Sequence, residues 1–395
     1  MTCDLEDSAV AVLLPLLTNG DEDRLREALR LLLNAAMLLE RQHHLRAEPF
    51  ERTEARNGHA NGFKDKRYQT RLGELDLRVP QVRNSAEPFY PRSLEKGLRS
   101  ERALKLALAE MYVQGVSTRK VAAITEQLCG FEVTSTQVSR AAAELDAHLS
   151  AWRERPLGET PYLILDARYE KVRQGGVVRS AAVLIALGVG LDGRRRILGV
   201  SVALSEQEVH WRAFLKSLVE RGLSGVRLSV SDDHEGLKAA RQAVFGSVPW
   251  QRCQFHLQQN AQAHMPKQEM KGEVAADLRA IFSASDRQAA EGLLRALVAR
   301  YQSSAPKLSA WLEASVPEAL TVFAVPAAHR RLLRTTNTLE RVNKEVKRRT
   351  RVASLFPSEA SCLRLVSAVL MEISDEGEAG KAYLTLALDF LALLL

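Results

Sequence analysis

Cysteine is scarce in this sequence: four residues, Cys3, Cys129, Cys253 and Cys362, are scattered through 395 with no CxxC pair. That excludes the dense, even framework of a small secreted disulfide scaffold and points to a reducing cytoplasm. Long apolar runs are missing as well. The final LTLALDFLALLL is too short to span a bilayer and is broken by Asp389, so it reads as a packed terminal helix and no membrane partner is expected. The start, MTCDLEDSAVAVLLPLL, carries acids before its apolar run and no basic leader, which argues against a signal peptide. No low-complexity tract interrupts the chain and 46% of it is hydrophobic, which excludes disorder and suggests a folded, soluble protein of about two to four units. An acidic excess is absent too. The formal charge of +7 favours a polyanionic partner, a condition that nucleic acid and an acidic membrane surface both meet.

What is present falls into stretches of different period. Residues 22–45, EDRLREALRLLLNAAMLLERQHHL, place Leu25, Leu29, Leu32, Ala36 and Leu39 at helical spacing, which predicts an amphipathic helix docked on the body or on a partner chain. Residues 52–83 then hold eight Lys/Arg against four Asp/Glu, a net of +4 with little apolar content. Their second half alternates as Leu72, Leu75, Leu77 and Val79 around Gly73-Glu74, the pattern of a hairpin. The stretch is a candidate DNA-contacting arm through Lys64, Lys66 and Arg67, although a solvated linker has the same composition. From Glu101 to Trp152 the pattern is helical in three short pieces, with N-caps at Ser117 and at Thr134 or Ser135 and stops at Gly115 and Gly130. A trihelical unit whose last helix opens with Gln137, Ser139 and Arg140 fits a helix-turn-helix that reads a major groove. An ordinary helical connector would look alike.

After Pro161 the period changes to that of strands. YLILDARYE, SAAVLIALGVG, RRILGVSVAL, a helix near 207–221, VRLSVSDD, a helix near 235–245 and WQRCQFHL follow one another. The order β-β-β-α-β-α-β predicts an α/β fold with a mixed sheet, and it is the order of an RNase H-like domain. From Gln258 to about Arg330 the chain is again mostly helical, before TTNTLERVNKEVKRRTR at 335–351.

Asp166 ends the apolar run YLIL and Asp232 ends RLSVS. In this order their strands are first and fourth, neighbours in the sheet, so the two carboxylates should lie side by side and repel unless a cation sits between them. Mg²⁺ or Mn²⁺ answers that need, because both take oxygen ligands and keep positions free for phosphate and water. A third acid from a later helix would complete the set. Glu340 is the candidate: Leu339, Val342 and Val346 form an apolar face, with Glu340, Lys344, Lys347, Arg348 and Arg351 on its flank. Residues 341–351 carry six Lys/Arg against one Glu, net +5, so Arg341, Lys344, Lys347 and Arg348 are candidate phosphate contacts. Asn337-x-x-Glu340 is equally a capping box, in which Glu340 only reaches back to a backbone N–H.

LDARYEKVR (165–173), SDDHEGL (231–237), QRCQFH (251–256) and TTNTLERVNKEVKRRT (335–350) resemble, in this order, the signature blocks of the IS256/Mutator-type DDE transposases. NGFKDKRYQTRLGELDLRVPQVR, YVQGVSTRKV and TSTQVSR are similar to that family's N-terminal region. The resemblance implies an RNase H-like catalytic core with a helical insertion, and a metal-binding catalytic triad on Asp166, Asp232 and Glu340. The resemblance spans roughly residues 50–350, and the chain is expected to divide into an N-terminal helical segment (1–47), a basic arm (48–100), a helix-turn-helix-like DNA-binding domain (101–153), the first part of the core (160–257), the insertion (258–332) and the last part of the core with terminal helices (333–395). The family's Cys-x-x-His element falls on Cys253 and His256. A lone CxxH lacks two of the four ligands of a structural zinc site, so zinc is not expected. His256, read as ending a strand beside the site, supports the active site through the phosphate or a carboxylate, or else is a satisfied core histidine.

The activity implied is two-metal phosphoryl transfer, in which water cuts at the transposon end and the freed 3′-OH then attacks a second phosphodiester. Partners are then the terminal inverted repeats and target DNA, bound by at least a homodimer in the bacterial cytoplasm, at the nucleoid. A catalytically silent DNA-binding relative and an RNase H-like nuclease that only hydrolyses are the competing readings. In SDDHEGL neighbouring strand residues point to opposite faces. Asp232 is therefore expected as the ligand, Asp233 as the cap of the following helix, and His234 as a first-turn residue without a catalytic role.

Overall fold

In this computed structural model the described residues are 22–94, 100, 102–131, 133–351, 353 and 355–385. The chain start and most of the terminal apolar segment, both read above, lie outside them. Two compact units meet between Glu144 and Leu145. No helix among the described residues is long and apolar enough to cross a membrane.

Among the described residues, the first unit begins with helix α1 (Glu22–Leu45) and a two-stranded antiparallel sheet, β1 (His59–Thr70) and β2 (Gly73–Arg83). Strand β2 alternates strictly, burying Leu75, Leu77 and Val79 and exposing Glu74, Asp76 and Arg78, so one face is apolar and needs cover. Helix α1 supplies it with Met37, flanked by Leu29 and Leu33. Of the two seats open in the sequence, the helix takes the one on its own hairpin. The buried stripe is not the expected one: Leu32 and Leu39 are 45% and 57% exposed, while Ala28 and Met37 are inside. The arm candidates Lys64, Lys66 and Arg67 lie on β1, a strand exposed along most of its length and formed by pairing with β2 rather than by an apolar pattern of its own.

Three helices complete this unit: α2 (Arg102–Val113), α3 (Thr118–Cys129) and α4 (Ser135–Ala143). Ser117 caps α3 by accepting from the Lys120 N–H, and Gly130 ends it in the left-handed region at φ 69°. Thr134 and Gln137 form a reciprocal capping box on α4. The third helical stretch does not run on to Trp152. It stops at Ala143, and a new helix, α5 (Asp146–Glu154), belongs to the second unit. There Arg364 grips the Asp146 carboxylate through two 2.7 Å hydrogen bonds and Leu149 is buried.

The second unit is built on a five-stranded mixed sheet in the order β5-β4-β3-β6-β7. Strands β3 (Tyr162–Gln174), β4 (Val177–Val189) and β5 (Arg195–Ala203) form an antiparallel meander. After helix α6 (Glu208–Glu220), β6 (Leu228–Ser231) adds parallel to β3, and after α7 (Glu235–Val244), β7 (Trp250–Arg252) adds parallel to β6. Helices α6 and α7 cover one face, where Trp211, Phe214, Leu215, Leu218, Leu237 and Ala240 pack on Leu163, Leu165, Leu184 and Ala186. The continuous burial of Tyr162–Leu165 in β3 and Ala181–Val189 in β4 follows, since a strand segment covered on both faces has no solvated side.

Between β7 and the last part of the sheet unit comes a helical block: α8 (Gln254–Asn260), α9 (Met270–Phe282), α10 (Arg287–Tyr301), α11 (Pro306–Ser315) and, after two 3-10 turns, α12 (Ala327–Leu333). It has its own core, centred on Leu257, Leu278, Leu297, Leu308 and Leu312. Buried amides join it to the sheet. Gln251 on β7 accepts from the Val322 N–H at 2.6 Å and donates to the Ala319 carbonyl at 2.8 Å, and Gln254 donates to the same carbonyl at 2.9 Å. Helices α13 (Asn337–Thr350) and α14 (Glu359–Ala379) then return to the sheet, packing on β3 and β5.

Candidate active site

Register sets the first pair of carboxylates. Ile164 of β3 pairs with Val230 of β6, and two residues further along stand Asp166, within β3, and Asp232, just past the end of β6. They are level on neighbouring parallel strands and in the same phase of the pleat. The two are held alike: Asp166 Oδ1 accepts from the Ala167 N–H at 2.9 Å, and Asp232 Oδ1 from the Asp233 N–H at 2.7 Å. Both line an open cavity of about 590 Å³ together with Arg168, Tyr169, Glu206, His234, His256, Glu340, Asn343, Lys344 and Lys347.

Glu340 enters from α13. Thr336, not Asn337, is the residue before the helix, so Glu340 stands one position too late for a capping box. Its backbone N–H takes the ordinary helical bond to the Thr336 carbonyl at 3.0 Å, and its side chain lines the cavity. His256 lies between the acids, with Nδ1 3.9 Å from Asp232 and Nε2 3.8 Å from Glu340. The expected strand is shorter than read: β7 ends at Arg252, and His256 is on the first turn of α8. The ladder's last amide, Cys253 N–H, goes to the Ser231 carbonyl, and the next, Gln254 N–H, goes to Arg334, which turns the chain off the sheet.

Cys253 is fully buried and accepts from the Thr336 N–H at 3.4 Å and hydroxyl at 3.3 Å, so the sulfur anchors the start of α13. Its sulfur, a His256 ring nitrogen and a Glu340 oxygen lie within 4.8 Å of one another. Glu340 is therefore a third donor around the CxxH element that its spacing alone did not count. Burial and charge act together on the groups of the cavity. Burial first, and the Glu340 charge in addition, push the Asp166 carboxyl up to about 6, against the His256 charge and the hydrogen bonds from Ala167 and Asn343. The Cys253 sulfur, then the Asp232 and Glu340 carboxylates, push the His256 imidazole up to about 9 against its own burial.

Asp233 is not the cap of α7. His234 occupies the cap position with no side-chain capping bond, and the Asp233 carboxylate turns away to Arg252 at 2.8 Å and Lys238 at 2.9 Å. Glu318, from the helical block, contacts the same two cations at 3.1 and 2.9 Å. The reason is the Arg252 side chain, only 4% exposed, whose buried charge requires a carboxylate more than the helix end requires a cap. Asp233→Ala should thus cost about 1–3 kcal/mol, read by chemical denaturation. Asp233→Ala with Glu318→Ala should cost more than the sum of the two, because Arg252 then has no carboxylate. Gly236 in the same segment has a packing reason, since a Cβ there would collide with the backbone of Glu206.

The basic candidates separate on inspection. Lys344 and Lys347 line the cavity with the acids and Arg341 is exposed, whereas Arg348 is paired with Glu345 at 2.7 Å. In the first unit, Lys64, Lys66 and Arg67 border a separate cavity of about 700 Å³ with Phe89 and Tyr90. Lys66 donates to the Tyr90 hydroxyl at 2.9 Å, and Arg67 is 78% exposed with Glu74 and Asp76 3.8 Å away. Ser139 and Arg140 are exposed on α4, while the Gln137 carbonyl is committed to its capping box at 2.7 Å. Asn343, Glu206 and Tyr169 are cavity residues that sequence reasoning missed. Asn343 could have been found from its spacing, three residues beyond Glu340 on one helix face; Glu206 comes from a loop with no periodic signal.

A family model described as "Transposase, Mutator family" matches residues 4–380. The chain belongs to the Mutator family of transposases. Among curated members of this transposase family, it is 60% identical over 371 residues to the transposase for insertion sequence element IS406 of Burkholderia multivorans, covering 93% of this chain and 95% of that one. It is 44% identical to the transposase for ISRM5 of Rhizobium meliloti, over 93% of this chain and 92% of that one. With the transposase for IS256 in transposon Tn4001 of Staphylococcus aureus the identity is 37%, over 90% and 91%.

Proposed function

We propose that this chain is an insertion-sequence transposase that cleaves DNA at the ends of its element and joins the freed 3′ ends to target DNA, with Asp166, Asp232 and Glu340 as its catalytic carboxylates. The observation that carries the reading is the convergence of these three acids, from β3, the end of β6 and α13, on one open cavity beside Lys344 and Lys347. The strand order β5-β4-β3-β6-β7, numbered from β3 as 3-2-1-4-5, supports an RNase H-like core, and the helical block after β7 supports an insertion within it. Helices α2 to α4, with exposed Ser139 and Arg140, support a helix-turn-helix role in end recognition.

The donors fit Mg²⁺ or Mn²⁺: three carboxylates at an open cavity offer hard oxygen ligands, and the burial that raises the Asp166 carboxyl is a cost that a bound cation would offset. Bound there, a pair of such ions would activate the attacking oxygen and stabilise the leaving one. The chain's own residues supply the rest. Asp166 and Asp232, level on adjacent strands, fix two ligand directions from rigid elements, and Glu340 adds a third from the helix. Lys344 and Lys347 attract the phosphates flanking the scissile bond. His256, within 4 Å of both Asp232 and Glu340, offsets the repulsion between the two carboxylates. Two ends must be joined in one event, which implies at least a dimer.

Incubating the protein with Mg²⁺ or Mn²⁺ and DNA carrying its own element's ends should give nicked ends and strand-transfer products on a gel. End binding without cleavage would refute the enzyme, and cleavage without joining would make it a nuclease.

A further inference from the structure

We infer that Asn343 is a positioning residue that sets the Asp166 carboxylate for a divalent ion, an inference that rests on the metal-dependent reading above. Asn343 Nδ2 donates to Asp166 Oδ2 at 2.8 Å, while Oδ1 of the same carboxylate accepts from the Ala167 N–H. Each oxygen of Asp166 therefore has one fixed donor. Rotation of the carboxylate is blocked, and each oxygen keeps a lone pair for another partner.

The backbone that carries the amide is itself held in place. The main-chain carbonyl of Asn343 accepts from Arg168 Nη1 at 2.5 Å, Arg168 pairs with Glu170 at 2.6 Å, and Glu170 accepts from the Thr350 hydroxyl at 2.8 Å. This chain ties α13, which carries Glu340, to β3, which carries Asp166. Two ligands from distant segments are thereby kept in one frame, as partners of metal ligands commonly do.

Chemistry explains why the residue is an asparagine. The position needs a donor toward Asp166 without a second positive charge competing for the site, and without another negative charge beside the Asp166 carboxylate. A carboxamide meets both conditions. Its other end, Asn343 Oδ1, is buried and has no hydrogen-bond partner although the residue lines the cavity. A buried acceptor of that kind calls for a donor that enters the cavity, such as a water carried by the ion.

The test is Mn²⁺ binding to the full chain, by calorimetry without DNA. Asn343→Ala should weaken binding about 10–100-fold while leaving end binding in chelator and the melting temperature in chelator unchanged. Its cleavage should recover as Mn²⁺ is raised, which a packing defect would not allow. Asn343→Leu, close in volume but without polar groups, should lose affinity to the same extent and guards against an Ala variant that fails to fold. Mn²⁺ affinity within twofold of the unmodified protein in the folded variant would overturn the inference. Asp166→Ala and Glu340→Ala serve as controls: if Mn²⁺ binding survives them, or is absent from the unmodified protein, the metal-site reading fails, and the role of Asn343 with it.

Discussion

Asp166→Ala, Asp232→Ala and Glu340→Ala should each reduce strand cleavage and joining by ~10³-fold or more, the scale of losing a group that stabilises transition-state charge. Binding to the element's ends in the presence of chelator should be unaffected. The three act as one unit, so the double variant Asp166→Ala/Asp232→Ala should be hardly worse than either single change. The informative contrast is the neighbouring acid. Asp232 lines the cavity, whereas Asp233 is spent on Arg252 and Lys238, so Asp233→Ala should lose stability and keep measurable cleavage once it is folded. Comparable loss of chemistry in Asp232→Ala and folded Asp233→Ala, measured on the same end substrate, would mean that the pair has been divided wrongly.

That division marks where sequence reasoning reached and where it stopped. The alternation rule sends two consecutive strand residues to opposite faces, and Asp232 and Asp233 do diverge. What the rule could not supply was the partner of Asp233, because Arg252 reaches it from β7, 19 residues downstream, and shares its charge with Glu318 of the helical block, 85 residues downstream. Strand order alone sets Asp166 and Asp232 side by side, since both end buried apolar runs on strands that pair with one another. His256 was put on a strand because WQRCQFHL satisfies both periods, and the hydrogen bond from Gln254 to Arg334 that turns the chain is a long-range one. Strand β1 escaped for the opposite reason. It is exposed along most of both faces and carries no pattern to read, while β2 beside it alternates strictly. Composition located the basic surface, but only contacts distinguish Lys344 and Lys347, free in the cavity, from Arg348, held by Glu345.

Without divalent ion, Asp166→Asn should make the protein more stable at neutral pH while abolishing cleavage. Burial holds the Asp166 carboxyl up to about 6 in the folded chain, against about 3.9 for an unfolded aspartate. Between those values the folded state keeps a proton that the unfolded state has released, so stability falls as pH rises from about 4 through about 6 and stays low above. The difference is worth on the order of 2–3 kcal/mol at neutral pH. Asparagine has no proton to lose, and the amide can still occupy the same volume. Denaturation curves from pH 4 to 8 in chelator should therefore slope downward for the unmodified protein and less steeply for Asp166→Asn. Mn²⁺ should then raise the stability of the unmodified protein above pH 6, where the carboxylate is charged, and do much less for the variant. Parallel pH profiles for the two proteins, or equal stabilisation of both by Mn²⁺, would show that Asp166 is not the charge the site is built to neutralise.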